Sequence, residues 1–245
     1  MAEIDPKIPV WPLWLEPEHI SEPTLQRAVT DSPAPLAGAP QSVASTAGTW
    51  QFQLIDLPIF SDGGPASLML GDRVSQWRSL YNGALGNGLP IYMRFFDYPR
   101  GPRARAGLSW FGPTSTHSDG SKFSDGSVYE QGTGDAVVAA AAAAGASVLS
   151  ADILSSVNAQ PGDLFMVGDR MHQIVGIWPD EAVAARFTWN FVPILRAPLA
   201  VGDVIELADP LCRMVLKPQD RSQIIRKERG LIGRQTLTFI EAPWE

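Results

Sequence analysis

The chain reads as a mainly β protein of the α+β kind, with one helix and a small inserted β-barrel or sandwich. Three observations predict this. Gly and Pro are abundant, 22 and 21 of 245 residues, so turns are frequent. Helix-period stretches are few. Alternation of apolar and polar residues with period 2 recurs in short segments. A hydrophobic content of 45% supplies a folded core for one large or two modest domains.

The elements follow in order. Residues 1–45 read as an extended arm. "WPLWLEP" sets Trp11 and Trp14 beside prolines, and "SPAPLAGAPQSVAS" is too rich in Pro, Ala and Ser for a helix or packed strand. Such an arm docks either on its own domain or on a neighbouring subunit. "TWQFQLIDLPI" alternates Trp50, Phe52 and Leu54 with polar residues, a half-buried strand. Leu70, Val74, Trp77 and Tyr81 then share one face of an amphipathic helix that ends near "NGALGNG". "LPIYMRFFDYP" reads as a strand with Ile91, Met93 and Phe95 on one face and Tyr92, Arg94 and Phe96 on the other.

Arg100, Arg103 and Arg105 form a basic loop, either an anion or subunit contact or a solvated segment. "STHSDGSKFSDGSVYEQGTGD" is a long polar loop. Asp119, Asp125 and Glu130 there could hold calcium, but the spacing lacks the alternate ligands of an EF-hand, and Asp-Gly is a turn dipeptide. No metal or cofactor is expected. The alanine run in "AVVAAAAAAGASVLSADIL" reads as a closely packed strand.

The stretch "PGDLFMVGDRMHQIVGIWPD" raises the question of chemistry. It matches "APLAVGDVIELADPLCRMVL": an approach, Gly-Asp, an apolar strand, a turn and another strand. Gly162-Asp163 and Gly202-Asp203 are turn formers, because Gly takes positive φ and Asp bonds nearby backbone N–H groups. Two hairpins follow, one turning at Gly168-Asp169 and one near Asp209-Pro210. His172 sits on a strand and reads as structural, with His19 and His117 remote in sequence. Cys212 is the sole cysteine, which excludes internal disulfides and a cysteine-based zinc site. No nucleophile motif or phosphate loop appears, so no catalytic residue is expected. The domains expected are the arm 1–45, a discontinuous domain 46–130 with 216–245, and an inserted barrel 131–215. Leu237, Phe239 and Ile240 in "TLTFIEA" would return to the first sheet.

The order of "GTWQFQLIDLPI", "DRVSQWRSLYNGALG", "LPIYMRFFDYP" and "FVPILRAPLAVGDVIELADP" resembles the distal tail proteins of siphophages and gene transfer agents, over about residues 50–245. The arm has no counterpart in that pattern. The resemblance implies a tail-tube-like β-sandwich with one helix and an inserted OB-like or galectin-like barrel. It implies a six-fold ring in the virion tail tip, joining the tail tube protein to hub, baseplate and fibre proteins, with genomic DNA passing through the lumen. Trp11, Trp14, Phe96, Tyr98, Arg100 and Arg103 are then the interface candidates.

The net charge of −7 opposes a phosphate clamp and suits a conduit for DNA. No segment has the composition of a secretion signal or membrane span, so synthesis in the host cytoplasm is expected. Three alternatives stand beside the ring. One is a hub or tail terminator. The second is a carbohydrate-binding module with Trp178 and Trp189 as platform. The third is a hydrolase using Asp163 and Asp203 as paired carboxylates.

Overall fold

The computed structural model describes residues 5–12, 19–27, 29–31, 42–44, 48–57, 73–95, 101–105, 114–115, 129–130, 135–154, 157–220 and 235–242. The chain forms two compact units, one of residues 6–93 with 213–245 and one of residues 94–212 that interrupts it. The strands begin with β1 (His19–Ile20), β2 (Thr24–Gln26), β3 (Val29–Asp31), β4 (Ser42–Ala44), β5 (Thr49–Leu57), β6 (Ile91–Arg94), β7 (Thr114–Ser115) and β8 (Tyr129–Glu130). They continue with β9 (Ala136–Val138), β10 (Val148–Ile153), β11 (Leu164–Val167), β12 (Arg170–Pro179), β13 (Arg186–Val192), β14 (Val204–Glu206), β15 (Leu211–Leu216) and β16 (Gln235–Glu241). The fold is mainly β.

The discontinuous unit is built on a sheet ordered β1-β5-β16-β15-β6, with β2 also on β5. Trp50, Phe52 and Leu54 of β5 are buried in strict alternation, because one strand face meets the core. The alternation then breaks. Leu57 faces Gln235 while Leu54 faces Leu237, so β5 carries one extra residue there. Asp56 takes φ 54°, and Leu57 swings back inside. This is a β-bulge that rephases the strand. β16 pairs with both β5 and β15, placing Leu237 and Phe239 in the core.

The helix Arg73–Leu80 buries Trp77, and Tyr81 follows it inside. It does not stop at Gly83. A wider turn runs through Tyr81–Leu85, with the Gly86 N–H on the Tyr81 carbonyl and the Leu89 N–H on the Ala84 carbonyl. Gly88, at φ 71°, supplies the left-handed residue that ends it.

Ile91, Tyr92 and Met93 of β6 are all buried, so both strand faces are covered. The arm explains how the outer edge is filled. The Trp11 N–H donates to the Tyr92 carbonyl at 2.7 Å, and the Tyr92 N–H donates to the Pro9 carbonyl at 2.9 Å, a parallel bridge. At the opposite edge, β1 and β2 lie antiparallel to β5. The arm therefore lies along both sides of the sheet, bonding Tyr92 of β6 on one and pairing with β5 on the other. Part of the Pro/Ala/Ser segment is also ordered against expectation: β4 pairs with β3. Short side chains do not prevent a three-residue ladder.

The interrupting unit holds a closed barrel, β10-β13-β12-β11-β14-β9 and back to β10, with every neighbouring pair antiparallel. Its interior is packed by Phe165, Ile174, Trp189, Phe191, Leu149 and Ile205, among others. Two expectations need correction here. The alanine run is not one strand. It splits into β9 and β10 around a turn at Gly145, whose φ is 86°. The second Gly-Asp copy is not a hairpin, because β14 closes the barrel while β15 joins the other sheet. The last barrel strand ends at Glu206, and the interrupting unit ends at Cys212.

Candidate functional site

The Pro161–Asp180 stretch is resolved by its turns. The Asp163 N–H meets the Gln160 carbonyl at 3.1 Å, and the Asp163 carboxylate accepts the Gln160 N–H at 2.7 Å. Between them Pro161 pre-sets its φ and Gly162 sits at φ 102°. The second copy repeats this bonding. The Asp203 N–H meets the Ala200 carbonyl at 3.3 Å, Asp203 accepts the Ala200 N–H at 2.8 Å, and Gly202 takes φ 92°. Each turn launches a strand, and those strands, β11 and β14, pair with each other. Asp163 also takes an ion pair from Arg105. The repeat is thus a turn device, in which both carboxylates hold backbone N–H groups. The hairpin at Gly168-Asp169 forms as expected, with Val167 opposite Arg170 and Gly168 at φ 63°.

His172 is sealed in the barrel. Its Nδ1 lies 2.8 Å from the Pro193 carbonyl, which can only accept, so Nδ1 carries the proton. Phe165 stacks on the ring at 5.4 Å and Phe191 meets it edge-on at 5.0 Å. Burial pushes its pKa down to about 3, with the nearby Arg170 and Arg196 charges adding to the effect and the Pro193 bond opposing it. The imidazole is neutral and structural.

An ion-pair cluster that the sequence did not single out lies where β14 ends. Arg94 pairs with Asp209. Burial raises the Asp209 carboxyl, and Arg94 opposes that rise. Glu206 is also raised, first by burial and then by the charges of Asp135 and Asp209, while the Ala208 and Asp209 amides pull it down. The only sequence signal was the acid spacing in "IELADP". Among the described residues no three His, Cys, Asp or Glu side chains are grouped to hold a metal ion.

The interface candidates separate. Trp11 is buried in its own unit, edge-on to Phe239 at 5.7 Å and to Trp77 at 6.5 Å. Arg103 lies on the helical turn Pro102–Arg105. Trp14, Phe96, Tyr98 and Arg100 fall outside the described residues, as do His117, Asp119 and Asp125. The paired sugar platform is corrected. Trp189 has no exposed surface and sits against Phe165 in the barrel core, so it offers no ring face to a ligand. Trp178, at 54% exposure, lies on the outside. Cys212, the sole cysteine, is buried.

No protein-family model and no curated protein matches the chain. Among the described residues no helix is long and apolar enough to cross a membrane.

Proposed function

We propose that the protein is a structural subunit of a phage tail tip, forming a ring between the tail tube and the hub or baseplate. The observation that carries this reading is the architecture in chain order. A strand, a helix and further strands build one sheet-based unit, a closed β-barrel unit interrupts it, and the chain returns to complete the first sheet. That is the order expected of a tail-tube-like sandwich with an inserted OB-like or galectin-like barrel. The barrel's six strands exceed the five of an OB fold, so the likeness to that fold is partial.

The arm shapes how such a ring would close. Both sheet edges are already paired with residues 9–11 and 19–26 of the same chain. A ring sealed by pairing a neighbour directly to β5 or to β6 at Tyr92 would have to displace the arm or exchange it between neighbours. The acidic balance of −7 suits a lumen that DNA crosses without adhering.

Mixing the purified protein with the tail-tube protein and imaging by negative stain tests this. Six-fold rings capping tube ends are the expected result. Three-fold particles would reassign the protein to a hub, and no association with tubes would remove the tail reading.

A further inference from the structure

Trp178 is held in an unusual position for an exposed tryptophan. Its indole lies back over Gly176 on the same strand, where a β-carbon would fall 2.5 Å from the ring. The glycine is therefore the ring's seat. The barrel's outer face is read directly from its registers. Trp178 faces Thr188, which faces Ser150, while Gly176 faces Asn190, which faces Val148. Burial alternates along β10 and β13, so these positions point away from the core. In the next row, Arg186 forms a two-point ion pair with Asp152 at 2.8 and 2.9 Å.

From this arrangement we infer that the outer face of β10, β13 and β12 binds a neutral saccharide, with Trp178 as the stacking platform. An aromatic ring over a glycine offers a flat apolar surface to the C–H face of a sugar. The hydroxyls of Thr188 and Ser150 and the amide of Asn190 can donate and accept, which suits sugar hydroxyls. The charge disfavours an anionic ligand: Arg186 is paired with Asp152, and the whole chain is acidic. Size argues against a protein occupant. Three strands and five residues span about 10 by 14 Å, on the order of 150 Å². A stable protein interface takes about 800 Å² from each partner. The platform instead matches two or three sugar rings. This inference stands apart from the ring reading and survives its failure.

The test is calorimetric titration of the full chain with neutral tetrasaccharides of glucose, galactose and N-acetylglucosamine. At least one is expected to bind. Trp178→Ala should weaken it at least tenfold with the melting temperature unchanged, since the side chain is exposed. Gly176→Ala, which lifts the ring off its seat, should weaken it similarly, and Asn190→Ala several-fold. The inference is overturned if no tetrasaccharide binds, if Trp178→Ala binds as well as the parent, or if only a sulfated saccharide binds.

Discussion

The imidazole of His172 donates its Nδ1 proton to the carbonyl of Pro193 at 2.8 Å, buried inside the barrel. This bond makes a residue with catalytic potential into a part of the core. The burial of the ring also ties the barrel's stability to pH.

His172 has a folded pKa near 3 and an unfolded pKa near the ordinary 6.5. Between these values the unfolded chain binds a proton that the folded chain refuses. The contribution is complete above pH 6.5 and is lost as pH falls toward 3. At about 1.4 kcal/mol per unit, the loss from pH 7 to pH 4 is on the order of 3 kcal/mol. Urea unfolding of the parent and His172→Gln at both pH values checks this. The parent should lose more stability on acidification than the variant. Parallel losses would mean that His172 is not the group responsible.

Trp189 and Trp178 should part in their energetics. Trp189→Ala empties the barrel centre and should cost about 3–5 kcal/mol. Trp178→Ala should fall within about 0.5 kcal/mol of the parent. Denaturant midpoints of both variants measure the difference.

The Gly202-Asp203 turn should answer to substitution at either position. Gly202→Ala forces a β-carbon into φ 92° and should cost about 1 kcal/mol or more. Asp203→Ala removes the acceptor for the Ala200 N–H, and a bond to a charged group contributes about 1.5–3 kcal/mol. Asp203→Asn keeps an acceptor oxygen and should recover part of the loss in the same unfolding assay.

Trp11 pins the arm, so Trp11→Ala should release the edge of β6. Hydrogen exchange at the Tyr92 amide, which donates to the Pro9 carbonyl, should accelerate at least tenfold. Exchange at the amides of β10 should not change.

Local patterns carried much of this fold. The alternation of Trp50, Phe52 and Leu54 was legible because one face of β5 is buried and the other is not. The Gly168-Asp169 hairpin was legible because a two-residue turn writes its own chemistry. Long-range partnership was not legible. Gly202-Asp203 announces a turn and a strand, but nothing local says that β15 leaves β14 for another sheet. The pairing of Pro9–Trp11 with Tyr92 was hidden by prolines and by 81 positions of separation between Trp11 and Tyr92. The turn within the alanine run was not legible, because small residues suit a tight connection as well as a close-packed strand. At the outer barrel face, Trp178 drew notice as an aromatic. Thr188, Asn190 and Ser150 needed the register to place them beside it.

The central claim is the protein's place in a particle. Gold-labelled antibody on purified virions, viewed by negative stain, tests it most directly. The account predicts label at the far end of a long tail. Label at the head–tail junction, or on no particle while the protein is abundant in infected cells, would contradict it.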